Sequence, residues 1–383
     1  MTIELRGVEF KNKGAELMLH SILRAVRDRF PDALFVMEHR GGSAPIKKQR
    51  SVGIYTKLNI KRFGMDTARL GLFVPKIVRT KLGFVHEKDI DVVLDASGFA
   101  FGDFWGARKA GERLADHIER WKAQGKKVIL LSQAFGPFSD ASLRKKMITV
   151  LTQADLVFAR DKYSFAHLSS LQAGQERIRL RPDFTNLISG YVPAYFNGHQ
   201  ASGVAIIPNN KLLESNIFKD RDQYLQVLRK LVKLIGEAGG KPFFLIHEGE
   251  KDLRLAKDVS DGFPGSIDII QEDDPLKVKG MIGASKAVIT SRFHGLVSAL
   301  SQAVPCLCIG WSHKYEALME DYGYPDGLIG RDDLSGPGLK AKIEAVLRPE
   351  SAETIRKQLS LAGQEQKKLA RAMWDEVFEI ING

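Results

Sequence analysis

The chain has 383 residues, too many for one ordinary hydrophobic core and about the length of two domains. A composition of 44% hydrophobic and 27% charged residues excludes a disordered or fibrous polymer. The net charge of +11 is concentrated: residues 47–81 hold ten Lys or Arg against one acid, Asp66, so this segment carries +9 and the remainder is nearly neutral.

The first six residues already carry Glu4 and Arg6, and no apolar stretch there is long enough for a secretory leader, so a cytoplasmic protein is expected. No window approaches 18 uninterrupted apolar residues, which argues against a membrane-spanning helix. TIELRGVEF is predicted as the first strand and AELMLHSILRAVRDRF as the first helix, with Leu17, His20, Ile22, Leu23 and Val26 on one face. Between them Asn12, Lys13 and Gly14 form a turn whose backbone amides are placed to cradle a phosphate or a sugar. The turn lacks the G-x-G-x-x-G spacing, so a dinucleotide site is not supported. ALFVMEH follows as a strand.

The basic 47–81 segment interleaves its charges with Ile46, Leu58, Ile60, Phe63, Leu70, Leu72, Phe73, Val74, Ile77, Val78 and Leu82. That mixture suits a segment lying on an anionic membrane surface, with a solvated loop beside the ligand site as the alternative. No nucleic-acid-binding motif accompanies the charge, so nucleic acid is not an expected partner.

DVVLDAS, KVILLSQ and DLVFAR are continuous apolar runs, as expected of parallel strands covered by helices on both faces. After the first come Ser97, Gly98, Gly102 and Asp103, small or polar residues that let a ligand approach the backbone. After the second come Gln133 and Gly136, and after the third Arg160, Asp161 and Ser164. Residues 182–203, PDFTNLISGYVPAYFNGHQASG, break the periodicity and mark the domain boundary.

The second half repeats the scheme with GVAIIPN, PFFLIHE, SIDII, KAVITS and PCLCIG as strands, and DQYLQVLRKLVKLIGEAGG as a helix closed by two glycines. Residues 287–290 end in Ser291, Arg292, Phe293 and His294, then pass into a helix through Gly295. Arg292 and His294 thus lie at a strand tip beside a helix N-terminus, which favours an anion. An arginine paired to a nearby acid and a capping histidine is the plainer reading. Cys306 and Cys308 point to one strand face and are expected as buried thiols. No clustered carboxylates or His pairs suggest a metal, so none is expected. The last thirty residues read as one or two amphipathic helices.

The alternation predicts an α/β protein of two doubly wound, Rossmann-like domains facing a cleft: residues 1–190, residues 200–350, and C-terminal helices over 351–383 packing back on the first. Two arginines at strand tips, Arg160 in one domain and Arg292 in the other, would clamp one dianionic ligand.

These segments resemble the polysaccharide pyruvyl transferase family. The Asn12-Lys13-Gly14-Ala15-Glu16 turn, the Gly136-Pro137-Phe138 step, the Ala159-Arg160-Asp161-x-x-Ser164 stretch, the Ser291-Arg292-Phe293-His294 motif and the later His313-Lys314-Tyr315 occur in the expected order over residues 7–315. Where the family often has a Gly-Gly pair after the third strand, this chain has Ala96-Ser97-Gly98. The resemblance implies a fold similar to the GT-B glycosyltransferases, with the first domain on the acceptor side and the second on the donor side. It implies phosphoenolpyruvate as donor substrate, no cofactor, and as acceptor a sugar of a surface polysaccharide or its lipid-linked precursor.

On that basis His294 is the expected catalytic residue, and Arg160, Arg292 and Ser291 are expected to bind phosphoenolpyruvate. Asn12, Lys13, Gly14, Ser97, Gly98, Gln133, His313 and Lys314 are expected to line the substrate site. A nucleotide-sugar glycosyltransferase on the same fold and a non-catalytic saccharide-binding protein are the alternatives.

Overall fold

The structure is a computed structural model that describes residues 1–59, 61–62, 65–66, 73–198, 200–215, 217–310 and 312–383, with backbone only at 61, 62, 65 and 66. The chain divides into two compact units, one of Met1–Phe184 with Leu369–Gly383 and one of Thr185–Lys368.

The first unit is built on strands β1 (Thr2–Arg6), β2 (Leu34–Met37), β3 (Ile54–Lys57), β6 (Phe84–Val85), β7 (Val92–Asp95), β9 (Lys127–Phe135), β10 (Leu156–Ala159) and β11 (Ile178–Leu180). Among the described residues they form a parallel sheet in the order β11-β10-β9-β7-β1-β2-β3-β6, with β8 (Phe99–Phe101) added beside β9. A short antiparallel pair, β4 (Lys61–Arg62) with β5 (Met65–Asp66), stands apart. The apolar runs read as buried strands are buried: Val93, Leu94, Val128–Leu131 and Val157–Ala159 have no exposed side-chain surface. The order reverses at β1, which has β2 on one side and β7 on the other, so the carboxyl ends of β1 and β7 form the switch point where such sheets bind ligands. Gly7 leaves β1 there at φ +85, and a Cβ on it would lie 2.4 Å from the Ser97 nitrogen, so only glycine allows this approach.

The last turns of the helix Pro349–Asn382 complete this unit. Trp374 stands edge-on to Phe184 at 5.9 Å, Phe378 edge-on to Phe30 at 5.6 Å, and Glu376 pairs with Arg179 and Arg181.

The basic segment departs from its reading as one surface patch. Residues 54–57 form β3, and Lys57 is buried against Glu4 at 2.8 Å and Glu87 at 3.1 Å. Arg79 is also buried, bound to Asp89 and to the Val74 carbonyl. Both charges are cancelled inside the unit, because an unpaired buried cation is too costly to keep. Ile60, Phe63, Arg69, Leu70 and Leu72 lie outside the described residues, as do the side chains of Lys61 and Arg62.

The second unit has β12 (Val204–Ile207), β13 (Pro242–Ile246), β14 (Ile269–Gln271), β15 (Ala287–Thr290) and β16 (Cys306–Cys308), all parallel, in the order β14-β13-β12-β15-β16. Its core packs the helix Arg221–Glu237, through Tyr224, Leu228, Leu231 and Ile235, against these strands. Cys306 and Cys308 are free, buried thiols, and burial pushes both up from the ordinary thiol range. The switch point here lies between β12 and β15.

Candidate active site

In the second unit, β12 and β15 run in register up to Ile207 and Thr290, and the chain that follows each is locked to the other. The Ser291 amide donates to the Ile207 carbonyl at 3.2 Å, and Asn209 Nδ2 donates to the Ser291 carbonyl at 2.8 Å. The Tyr315 hydroxyl donates to that same carbonyl at 3.1 Å, and the Asn209 amide donates to the Tyr224 hydroxyl at 3.0 Å. Ser291 is held as a buried crossing point, where its side chain is only 3% exposed.

Arg292 is the N-cap of the helix Phe293–Leu300, and its amide donates to Thr290 Oγ1 at 3.0 Å. Gly295 lets the helix begin against the strand end, since a Cβ there would lie 2.8 Å from Thr290 Oγ1. The Arg292 guanidinium is buried and already partnered. Nε and Nη2 donate to Asp252, and Nη1 donates to Glu248. The two carboxylates differ in kind. Asp252 is 1% exposed and also accepts the Asn210 amide at 2.8 Å, so it is a fixed anchor. Glu248, 21% exposed at the end of β13, stands at the rim. Burial pushes the Asp252 carboxyl up from its ordinary value, and Arg292 pulls against that shift.

His294 occupies the second position of the same helix, half-buried, with its ring edge-on to Phe293 at 5.6 Å. The helix His313–Asp321 opens beside it. Lys314 Nζ lies 5.5 Å from the Phe293 ring centre, and Tyr315 stands edge-on to Phe293 at 5.7 Å. Ser291, Arg292, Phe293, His294, Lys314 and Tyr315 are thus one cluster at the carboxyl ends of β15 and β16, with His313 at the head of the second helix. Two sequence motifs twenty residues apart are joined through a carbonyl and an aromatic ring.

Sequence reasoning missed Asp252, Glu248 and Asn209. Glu248 is the last residue of the predicted strand PFFLIHE, whose carboxyl end borders this switch point; Asp252 one turn later carries no such signal.

In the first unit the expected residues serve the backbone more than an open surface. Asn12 caps the helix Lys13–Arg29 by accepting from the Gly14 and Ala15 amides at 2.9 and 3.2 Å. Of the amides expected to form a phosphate cradle, that of Gly14 is therefore taken by the cap, because the first turn of a helix must satisfy its own donors. Lys13 pairs with Glu16 at 3.3 Å. Ser97 donates to Asp95 at 3.0 Å and Gln133 Nε2 donates to the same carboxylate at 3.1 Å, with Gly98 next in the turn at φ +69. Arg160 is buried, 3.3 Å from Asp183. Asp161 caps the helix Lys162–Ser169 through the Ser164 amide, and Ser164 Oγ accepts the Phe135 amide, so this stretch ties β10 to β9.

The whole chain is similar in fold to solved proteins of low identity. Anabaena Alr3699/HepE, solved with UDP and glucose, is 13% identical with a TM-score of 0.58, over 100% of this chain and 99% of that one. S. aureus MnaA, solved with UDP, is 15% identical with a TM-score of 0.55, over 94% and 90%. The UDP-GlcNAc 2-epimerase of Methanocaldococcus jannaschii is 14% identical with a TM-score of 0.56, over 92% and 94%. The fold is therefore GT-B-like. The family model of polysaccharide pyruvyl transferase matches residues 12–313, a span holding every residue of the cluster except Lys314 and Tyr315, and the chain belongs to that family.

Proposed function

We propose that this protein transfers the pyruvyl carbons of phosphoenolpyruvate onto two hydroxyls of a saccharide as a ketal, with the donor held in the second unit at Arg292. The observation that carries this reading is the arrangement of Arg292: a buried guanidinium fixed from behind by Asp252, capped by the partly exposed Glu248, and two residues from His294. An incoming carboxylate or phosphate replaces Glu248 on Nη1 and meets an already oriented fork.

The reaction balances as follows. C3 of the donor gains a proton, and C2 becomes cation-like. One hydroxyl oxygen bonds to C2, the C2–O bond to phosphate breaks, and the second hydroxyl closes the ketal. The two hydroxyl protons are accounted for by the new methyl group and the departing phosphate. His294 is assigned as the general acid or base of this sequence. Lys314 supplies a point charge for the phosphate, with Ser291 and His313 lining the site. The donor is the sole co-substrate, and no cofactor or metal is part of the scheme.

The GT-B-like relatives solved with UDP favour a second reading, a nucleotide-sugar transferase. Incubating the protein with a saccharide acceptor and either phosphoenolpyruvate or UDP-glucose separates the two. Phosphate release with the first donor alone supports ketal formation; UDP release with the second alone sinks it.

We also propose that the first unit docks on an anionic membrane surface from the cytoplasmic side, where a lipid-linked acceptor is presented. No helix among the described residues is long and apolar enough to cross a membrane. The support is a mixed apolar and basic face: Phe73, Ile77 and Leu82 are 87%, 71% and 59% exposed, next to exposed Lys76 and Lys81. Arg50, on the helix Ile46–Ser51 that also carries the exposed Lys47 and Lys48, donates to the Leu82 carbonyl at 3.0 Å. Each lysine near such a surface contributes about 1 kcal/mol. Replacing Lys47, Lys48, Lys76 and Lys81 by Glu is expected to abolish sedimentation with phosphatidylglycerol vesicles while turnover of a soluble acceptor persists. Equal sedimentation of both proteins contradicts the docking.

A further inference from the structure

The switch point of the first unit holds two cations that the fold does not use. The helical turn Gly111–Ala115 is pinned there by Arg6, which ends β1: Nε donates to the Arg113 carbonyl at 2.9 Å and Nη2 to the Glu112 carbonyl at 3.2 Å. This turn is π-helical, a distortion that recurs at functional sites. It brings the Arg113 side chain close to the ends of β1 and β7, where Arg6 and Asp95 pair in register.

Arg113 is 9% exposed, and its Nη1 is buried without an acceptor among the described residues. Gln133 Oε1, on a side chain bound to the same Asp95, is buried and unpartnered as well. Lys109, one turn before Arg113, is half-buried and forms no salt bridge among the described residues, although the Glu112 carboxylate acts on it through space. The neighbouring acids are spent elsewhere: Glu112 on the exposed Arg108, Asp95 on Ser97 and Gln133, and Glu38 on Arg6 and Arg40.

The electrostatics agree with this inventory. Burial pushes the Lys109 ammonium down, Arg113 and Arg40 push it further, and Glu112 opposes them. Burial likewise lowers Arg113, where Asp95 and, more weakly, Glu38 oppose the shift and Arg40 and Arg6 add to it. Burial would raise Glu38, yet Arg6, Lys57 and Arg40 outweigh it and bring that carboxyl to about 2. A buried guanidinium with an unmet donor beside a second half-buried cation without a salt bridge costs stability, and folds keep such groups where a ligand supplies a further anion.

We propose that Lys109 and Arg113, with Arg40 at the rim, form an oxyanion site in the first unit that takes the phosphate or diphosphate of the saccharide acceptor. The oxyanion site stands on these residues alone; calling its ligand the acceptor rests on the ketal-transfer reading above. The surroundings suit a sugar-bearing ligand, because Phe104 and Trp105, 70% and 40% exposed and edge-to-face at 5.0 Å, precede Lys109 on the same loop and helix.

The test uses the full chain, with inorganic pyrophosphate as the bare probe and a short-chain prenyl diphospho-saccharide as the acceptor-like one. Pyrophosphate is expected to raise the Tm of the wild type. Arg113→Gln and Lys109→Gln are each expected to raise its Kd tenfold or more. Their ligand-free Tm is expected to be unchanged or higher, since each removes an uncompensated charge. A merely structural Arg113 gives the opposite pattern, a lower Tm with unchanged pyrophosphate affinity, and overturns the site. If Arg113→Gln fails to fold, Lys109→Gln alone decides by its affinity. Tighter binding of the prenyl diphospho-saccharide than of pyrophosphate, lost in the same variants, supports the acceptor assignment; pyrophosphate binding without it overturns that assignment. Phosphoenolpyruvate calorimetry on the same preparations keeps the two readings separable, because donor binding through Arg292 stands or falls independently of these residues.

Discussion

Replacing His294 by Gln is expected to lower turnover by roughly 10²- to 10⁴-fold while donor affinity stays within a few-fold, the mark of a group that moves a proton only in the transition state. The position supports the expectation. His294 is the second residue of a helix whose N-cap is Arg292, the residue proposed to hold the donor. A glutamine of similar reach keeps a hydrogen bond and cannot carry the proton. Two other roles give different results on the same variant. An electrostatic contact to phosphate raises the donor Kd and leaves turnover little changed. A packing role against Phe293 lowers the Tm, with near-normal activity in the folded fraction. Single-turnover rate, calorimetry and thermal melting therefore choose among the three.

Replacing Arg292 by Ala is expected to weaken phosphoenolpyruvate binding by about 2–5 kcal/mol, the cost of removing one partner of a desolvated charge pair. The same change strands Asp252, which is 1% exposed, so part of the protein is expected to unfold and affinity must be read in the folded fraction. Glu248→Gln supplies the control that a destabilising variant cannot. It removes the internal carboxylate from Nη1 without disturbing Asp252, so donor affinity is expected to rise a few-fold. Weakened donor binding in Glu248→Gln would show that Glu248 orients Arg292 and does not yield to the ligand.

The strands that shape both switch points were legible because burial on both faces leaves a continuous apolar run, as in VVLD of β7 and AVIT of β15. β3 was not. Its Lys57 reads as surface charge, and only Glu4 and Glu87, distant in sequence, make that lysine an interior residue. Arg292 and His294 stood out by their place at a strand tip before a helix. Their surroundings did not, since Asp252 and Glu248 reach Arg292 from 40 and 44 residues away, and a carboxylate one turn into a helix looks like any solvated acid. The Asn12 turn shows a competing use: its residue types suit a phosphate cradle, but the Asn12 side chain caps the helix through the Gly14 and Ala15 amides. Arg113 and Lys109 escaped notice because a missing partner leaves no mark in a sequence.

The most direct test of donor transfer is a paired measurement on one reaction: phosphate released from phosphoenolpyruvate, and the mass of the saccharide product. Equal amounts of phosphate and of a product heavier by one pyruvyl ketal, both lost in His294→Gln, are the predicted result. Saccharide left unmodified while phosphate is released, or modified from UDP-glucose with phosphoenolpyruvate untouched, would contradict the account.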